Sequence, residues 1–142
     1  MIYQTDKEFP AAVNHWGCYF MSLNERMSTL FGLPFTHESV LGVLAYAQGR
    51  KIVDNEITIL APGMLCEYLE PGRVQFRGKF PAEYITGDDE FEIVCYHKDG
   101  ASFNHFCSGN GKGIVIYDPW SAAGSDSVRN GSLIGKRIFK IL

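Results

Sequence analysis

The chain has 142 residues, 46% hydrophobic and 20% charged, with a formal net charge of −3. Those figures suit one globular domain spanning residues 1–142 and exclude a disordered or fibrous chain. The acidic balance without a basic stripe argues against a nucleic-acid partner, and no apolar run has membrane-spanning length or leader character, so no membrane partner is expected and a cytoplasmic setting is the default.

Residues Met1 to Ala12 read as extended or irregular, because Pro10 interrupts a helix. From Cys18, the apolar residues Phe20, Leu23, Met27 and Leu30 recur at helical spacing. Asn24, Glu25, Arg26 and Ser28 take the other side. The helix predicted over Cys18 to Phe31 ends at Gly32, a C-cap glycine, with Pro34 blocking continuation. A second helix is expected from Glu38 to Gln48, with Thr36 as N-cap and Val40, Leu41, Leu44 and Ala47 as its apolar stripe. Gly49 ends it. A short third helix runs from Pro62 to Leu69, and Pro71-Gly72 marks a turn.

The pattern then changes to β. Glu92 to Tyr96, Ser102 to Cys107, Gly113 to Tyr117 and Ile134 to Ile141 are short runs rich in β-branched and aromatic residues. Lys98-Asp99-Gly100 and Gly109 to Gly113 are hairpin-type turns. Lys136, Arg137 and Lys140 read as a solvated strand face. Helices followed by strands indicate an α+β fold, with N-terminal helices packed on a C-terminal antiparallel sheet. There is no repeat, low-complexity tract or linker.

The cysteines, Cys18, Cys66, Cys95 and Cys107, are far apart and form no CxxC pair, which argues against a disulfide scaffold. Cys18 sits where the first predicted helix begins. A helix N-terminus carries partial positive charge and free N–H groups, and it lowers the pKa of a thiol placed there. Gly17 before it allows a sharp turn and leaves space for a substrate carbonyl. The competing role is a buried apolar thiol.

His105 is expected mid-strand, a rigid mount for a base. Asp118 ends the next strand, so antiparallel pairing would bring it beside His105, where it could fix the imidazole tautomer. His15 lies before the helix, His37 on first-turn helix surface, and His97 at an exposed turn. A metal reading competes: Cys95 with His97 and His105 with Cys107 are i, i+2 pairs that could converge on zinc across a hairpin.

These residues resemble the papain-like cysteine peptidase superfamily, closest to the bacterial peptidases that cleave double-glycine leaders, and the short chain resembles an uncharacterised bacterial or phage branch. The resemblance rests on Gly17-Cys18 with Met21-Ser22-Leu23, on Asn104-His105-Phe106, and on Val115-Ile116-Tyr117-Asp118-Pro119-Trp120. These segments make up a small part of the chain, but they fall in the Cys, His, Asp order of that superfamily. It implies Cys18 as nucleophile, His105 as base and Asp118 as its orienter. It also implies a glutamine donor upstream of the cysteine. Gln4 is the only upstream glutamine, and Asn14 is the runner-up. Tyr19 departs from the pattern, standing where many members carry glycine.

The leading expectation is a thiol hydrolase acting on a peptide or amide substrate, with no cofactor and no metal. The Cys18 N–H and the Gln4 side chain would stabilise the oxyanion. A binding module that keeps the fold without catalysis is the second class, and a zinc-stabilised structural domain is the third. Trp16 and Trp120 fit a cleft, an interface or a core. Oligomeric state is left open.

Overall fold

The computed structural model describes residues 1–142. Helix α1 (Ala11–Trp16) begins directly after Pro10. A proline at that point costs nothing, because the first N–H groups of a helix lack intrahelical partners anyway. The expected irregular stretch therefore stops at Pro10, and His15 lies within a helix, exposed, and not ahead of one.

Helix α2 (Cys18–Phe31) has the predicted bounds and ends on Gly32 at φ 68. It buries Phe20, Met21, Leu23 and Met27 completely. Its expected polar side is partly buried too. Asn24 donates to the Phe20 carbonyl at 2.8 Å, and Glu25 is held by Arg26 and Thr29. Helix α3 (His37–Gly49) opens with a capping box between Thr36 and Ser39, and α4 (Pro62–Leu69) opens on its proline.

Five strands form one antiparallel sheet in the order β1-β5-β2-β3-β4. They are β1 (Val74–Pro81), β2 (Glu90–His97), β3 (His105–Gly109), β4 (Val115–Tyr117) and β5 (Ser132–Ile141), with the short α5 (Asp126–Asn130) before the last. Neither β1 nor α5 was expected. Strand β3 starts later than predicted, leaving Ser102 to Asn104 outside it and making His105 its first residue. A residue at a strand's entry can serve a cleft that a mid-strand residue would not reach.

Side-chain alternation divides the sheet. Phe91, Ile93 and Phe139 face the helices and join their core. Glu92, Val94, Lys136 and Ile138 face the other way, and they are also buried. Lys136 is therefore not on a solvated face: its Nζ lies 2.8 Å from Glu92 Oε1, and it is 3% exposed. Arg137 and Lys140 are half-buried.

Helix α2 is fixed against β3 by two reciprocal bonds. The Ser22 hydroxyl donates to the Phe106 carbonyl at 3.3 Å, and the Ser108 hydroxyl donates to the Ser22 carbonyl at 3.2 Å. These bonds set the N-terminus of α2 beside the start of β3. No helix is long and apolar enough to cross a membrane.

Candidate active site

Gly17 separates α1 from α2. Its φ of −81 is open to any residue, so the turn itself does not demand glycine. The demand is steric: a Cβ there would lie 2.6 Å from the Val13 carbonyl oxygen and 2.9 Å from Val13 Cγ1. The first hydrogen bond of α2 runs from the Met21 N–H to the Gly17 carbonyl. The N–H groups of Cys18, Tyr19 and Phe20 thus open the helix without intrahelical partners. Cys18 itself is 9% exposed and reaches the floor of a cleft of about 480 Å³.

His105 and Asp118 meet as their strand order requires. His105 Nε2 lies 2.7 Å from Asp118 Oδ1, and both residues are buried. The same carboxylate oxygen accepts the Trp120 N–H at 3.0 Å. Burial disfavours the charged form of His105, but Asp118 and then the nearby thiols of Cys107 and Cys18 outweigh it and push the imidazole up to about 12. Burial likewise works against the Asp118 carboxylate, yet His105, Ser125 and the Trp120 N–H hold it below the usual range. An imidazolium held by a carboxylate in a cleft that also holds a thiol can stabilise a thiolate and deliver a proton to a leaving group.

Cys107 was expected beside His105 only in the zinc reading, and it does lie beside the base. It shares a strand face with His105, the signal that places it there, and burial pushes its thiol up to about 11. His105, Cys107 and Asp118 present donor atoms within 4.8 Å of one another, a set of types that a transition metal accepts. The four-ligand zinc arrangement does not form. Cys95 pairs with Phe106 and Tyr96 with His105, so Cys95 faces the side opposite to His105 and Cys107. His97, half-buried, bonds Asn104 through Nδ1 at 3.0 Å.

The N-terminal segment closes the site from one side. Gln4 is buried and its N–H donates to the Pro119 carbonyl at 2.8 Å. Its Nε2 donates to the Asn14 carbonyl at 3.1 Å, which leaves the second hydrogen of that amide uncommitted. Asn14, the runner-up donor, is spent otherwise: its Nδ2 bonds the carbonyls of Gln4 and Asp6, and it does not line the cleft. Asp6 also bonds His37 at 2.9 Å, so His37 is tied to the N-terminal segment and is not plain helix surface.

Trp16, Phe103 and Trp120 form an exposed aromatic collar around the cleft, with Trp16 edge-on to Phe103 at 6.1 Å. Tyr19 does not fill the cleft. It lies along the wall, stacked on Phe106 at 4.9 Å.

The fold and site define an α+β protein with a buried His–Asp pair whose histidine shares a cleft with the thiol at a helix N-terminus. The chain belongs to the family described as protein of unknown function, DUF261, which matches residues 1–141. No curated protein and no solved structure matches it.

Proposed function

We propose that this protein is a thiol hydrolase of the papain-like superfamily, acting on a peptide or amide bond. The observation that carries the reading is the 2.7 Å His105–Asp118 bond, with His105 and Cys18 lining the same cleft. The chain order of the three residues and the helices-then-sheet architecture add support.

In this reading the Cys18 sulfur attacks the carbonyl carbon, and His105 protonates the leaving amine as the C–N bond breaks. Water then attacks the thioester, His105 takes up its proton, and the sulfur leaves. Asp118 holds the imidazole in one tautomer with its other nitrogen toward sulfur. The Cys18 N–H and the uncommitted Gln4 amide hydrogen bind the oxyanion, each donor worth on the order of 3 kcal/mol.

The test is iodoacetamide labelling across pH, with the labelled residue identified by mass spectrometry. Cys18 lines the cleft and is 9% exposed, against 2% or less for Cys66, Cys95 and Cys107, so one fast thiol is expected, at Cys18. His105→Ala should remove that fast reaction, and Cys18→Ser should remove the labelled peptide. Slow labelling of Cys18 in the folded protein would end the hydrolase reading in favour of a binding module.

A further inference from the structure

Strands β1 and β5 carry five basic residues. Three have acidic partners: Arg77 with Glu90 at 3.4 Å, Lys136 with Glu92 at 2.8 Å, and Lys140 with Asp89 at 3.7 Å. The side chains of the other two, Lys79 and Arg137, make no ion pair or hydrogen bond within the protein. They stand directly opposite each other in the β1–β5 register, and both line the cleft that holds Cys18. Like charges placed opposite one another in a sheet repel. A half-buried guanidinium without an acceptor also leaves its desolvation unanswered.

The backbone is built to make this pair. Phe76 and Lys79 both pair with inward-facing partners, Phe139 and Arg137, although they are three residues apart. Strict alternation would put them on opposite faces. A bulge at Arg77, with Gly78 at φ 112, inserts the extra residue that turns Lys79 into the cleft.

Arg137 is also aimed. Its guanidinium carbon lies 5.1 Å from the centre of the Phe106 ring, and that ring stacks on Tyr19, the residue after the nucleophile. Aromatic contact holds the fork while its N–H donors stay unspent. The Tyr19 hydroxyl, buried, has no hydrogen-bond partner. One carboxylate borders the cleft, that of exposed Glu56, and it pairs with neither cation.

The geometry points to an anion subsite formed by Arg137 and Lys79, and to a substrate that carries a carboxylate there. The word substrate rests on the hydrolase reading; the subsite does not. The carboxylate comes from an acidic side chain or from a peptide C-terminus, and the two sources are separable.

Both tryptophans of the chain line this cleft, so intrinsic fluorescence reports its occupancy. The Cys18→Ala variant is titrated with three peptides: acetyl-Ala-Glu-amide, acetyl-Ala-Ala with a free carboxylate, and neutral acetyl-Ala-Gln-amide. At least one of the first two should bind about tenfold tighter than the third, as a charge-assisted fork bond gives. Whichever binds tighter identifies the source. Adding Arg137→Gln should abolish the preference, Lys79→Gln should weaken it, and Arg137→Lys should keep part of it. Far-UV circular dichroism checks that the Arg137 variants fold, and exposed Lys79 gives an independent readout.

A preference below about threefold, one that survives Arg137→Gln, or no binding by any of the peptides overturns the assignment. Fast Cys18 labelling without a carboxylate preference sinks the subsite alone. A carboxylate preference with an unreactive Cys18 sinks the hydrolase alone.

Discussion

Replacing Lys136 by methionine keeps the length and apolar stem of the side chain and removes its charge. The partner Glu92 is 0% exposed, and it also accepts the Thr86 hydroxyl at 2.6 Å and the Gly113 N–H at 2.8 Å. After the substitution those two neutral donors remain and the cation is gone. Breaking a buried pair from one side costs about 3–5 kcal/mol. The two surviving bonds place the expected loss near the lower end, about 3 kcal/mol. At roughly 3 °C per kcal/mol for a chain of this length, the midpoint of thermal unfolding should fall by about 9 °C.

The loss should depend on pH. Burial raises the Glu92 carboxyl, but Lys136, Thr86 and the Gly113 N–H hold it below its ordinary value. A lowered carboxylate contributes stability that is fully present above its unfolded value of about 4.3 and is lost as the pH falls through the folded one. In the variant Glu92 can escape its penalty by protonating, so the difference from the parent should shrink in acid. Urea unfolding followed by circular dichroism at neutral pH and near pH 4 measures both effects. Adding Glu92→Gln to Lys136→Met should recover most of the loss. A cost under about 1 kcal/mol at neutral pH is the value for exposed pairs and would refute the burial argument.

Gly17→Ala should cost roughly 1–3 kcal/mol in urea unfolding, because its methyl group must displace the Val13 backbone. The same change should slow iodoacetamide labelling of Cys18. Asp118→Asn should flatten the acid limb of stability: the lowered Asp118 carboxyl contributes above about 3.9, and that contribution is lost as pH falls. His105 is raised, so its contribution is complete below about 6.5 and is lost only as pH climbs toward the folded value. Its ring-proton NMR signals should stay fixed between about pH 5 and 9 in the parent and titrate in Asp118→Asn.

The helices could be read from the chain because their signals are local. Phe20 to Leu30 at helical spacing with Gly32 beyond, and Pro62 at a helix start, depend on nothing distant. Strand β1 failed that reading for a physical reason. The alternation that begins Val74, Phe76 slips by one residue at the Arg77 bulge, and Gly78 looks like a breaker. Helices α1 and α5, at six and five residues, are too short for a periodic signal. Within the site, the His105–Asp118 contact followed from two neighbouring strands and one glycine turn. Asn14 was read as a donor, but that its amide is spent on the carbonyls of Gln4 and Asp6 was not legible, because that segment has no periodic pattern, nor was the fate of Lys136, because its acid lies 44 positions away.

The strand order bears on when such a site can come into being. Strands β1 and β2 follow one another in the chain yet do not pair; β5, the fifth in chain order, lies between them. The most remote contacts, Tyr117 hydroxyl to the Ile2 carbonyl and Thr5 hydroxyl to the Trp120 carbonyl, span 115 positions and join the segments that carry Gln4 and Asp118. Topology of this kind makes folding slow. A nascent chain halted before Ser132 would hold Cys18, His105 and Asp118 with nothing to fill the centre of the sheet. The frame that sets these three residues against one another is thus complete only once β5 has been made and inserted between β1 and β2.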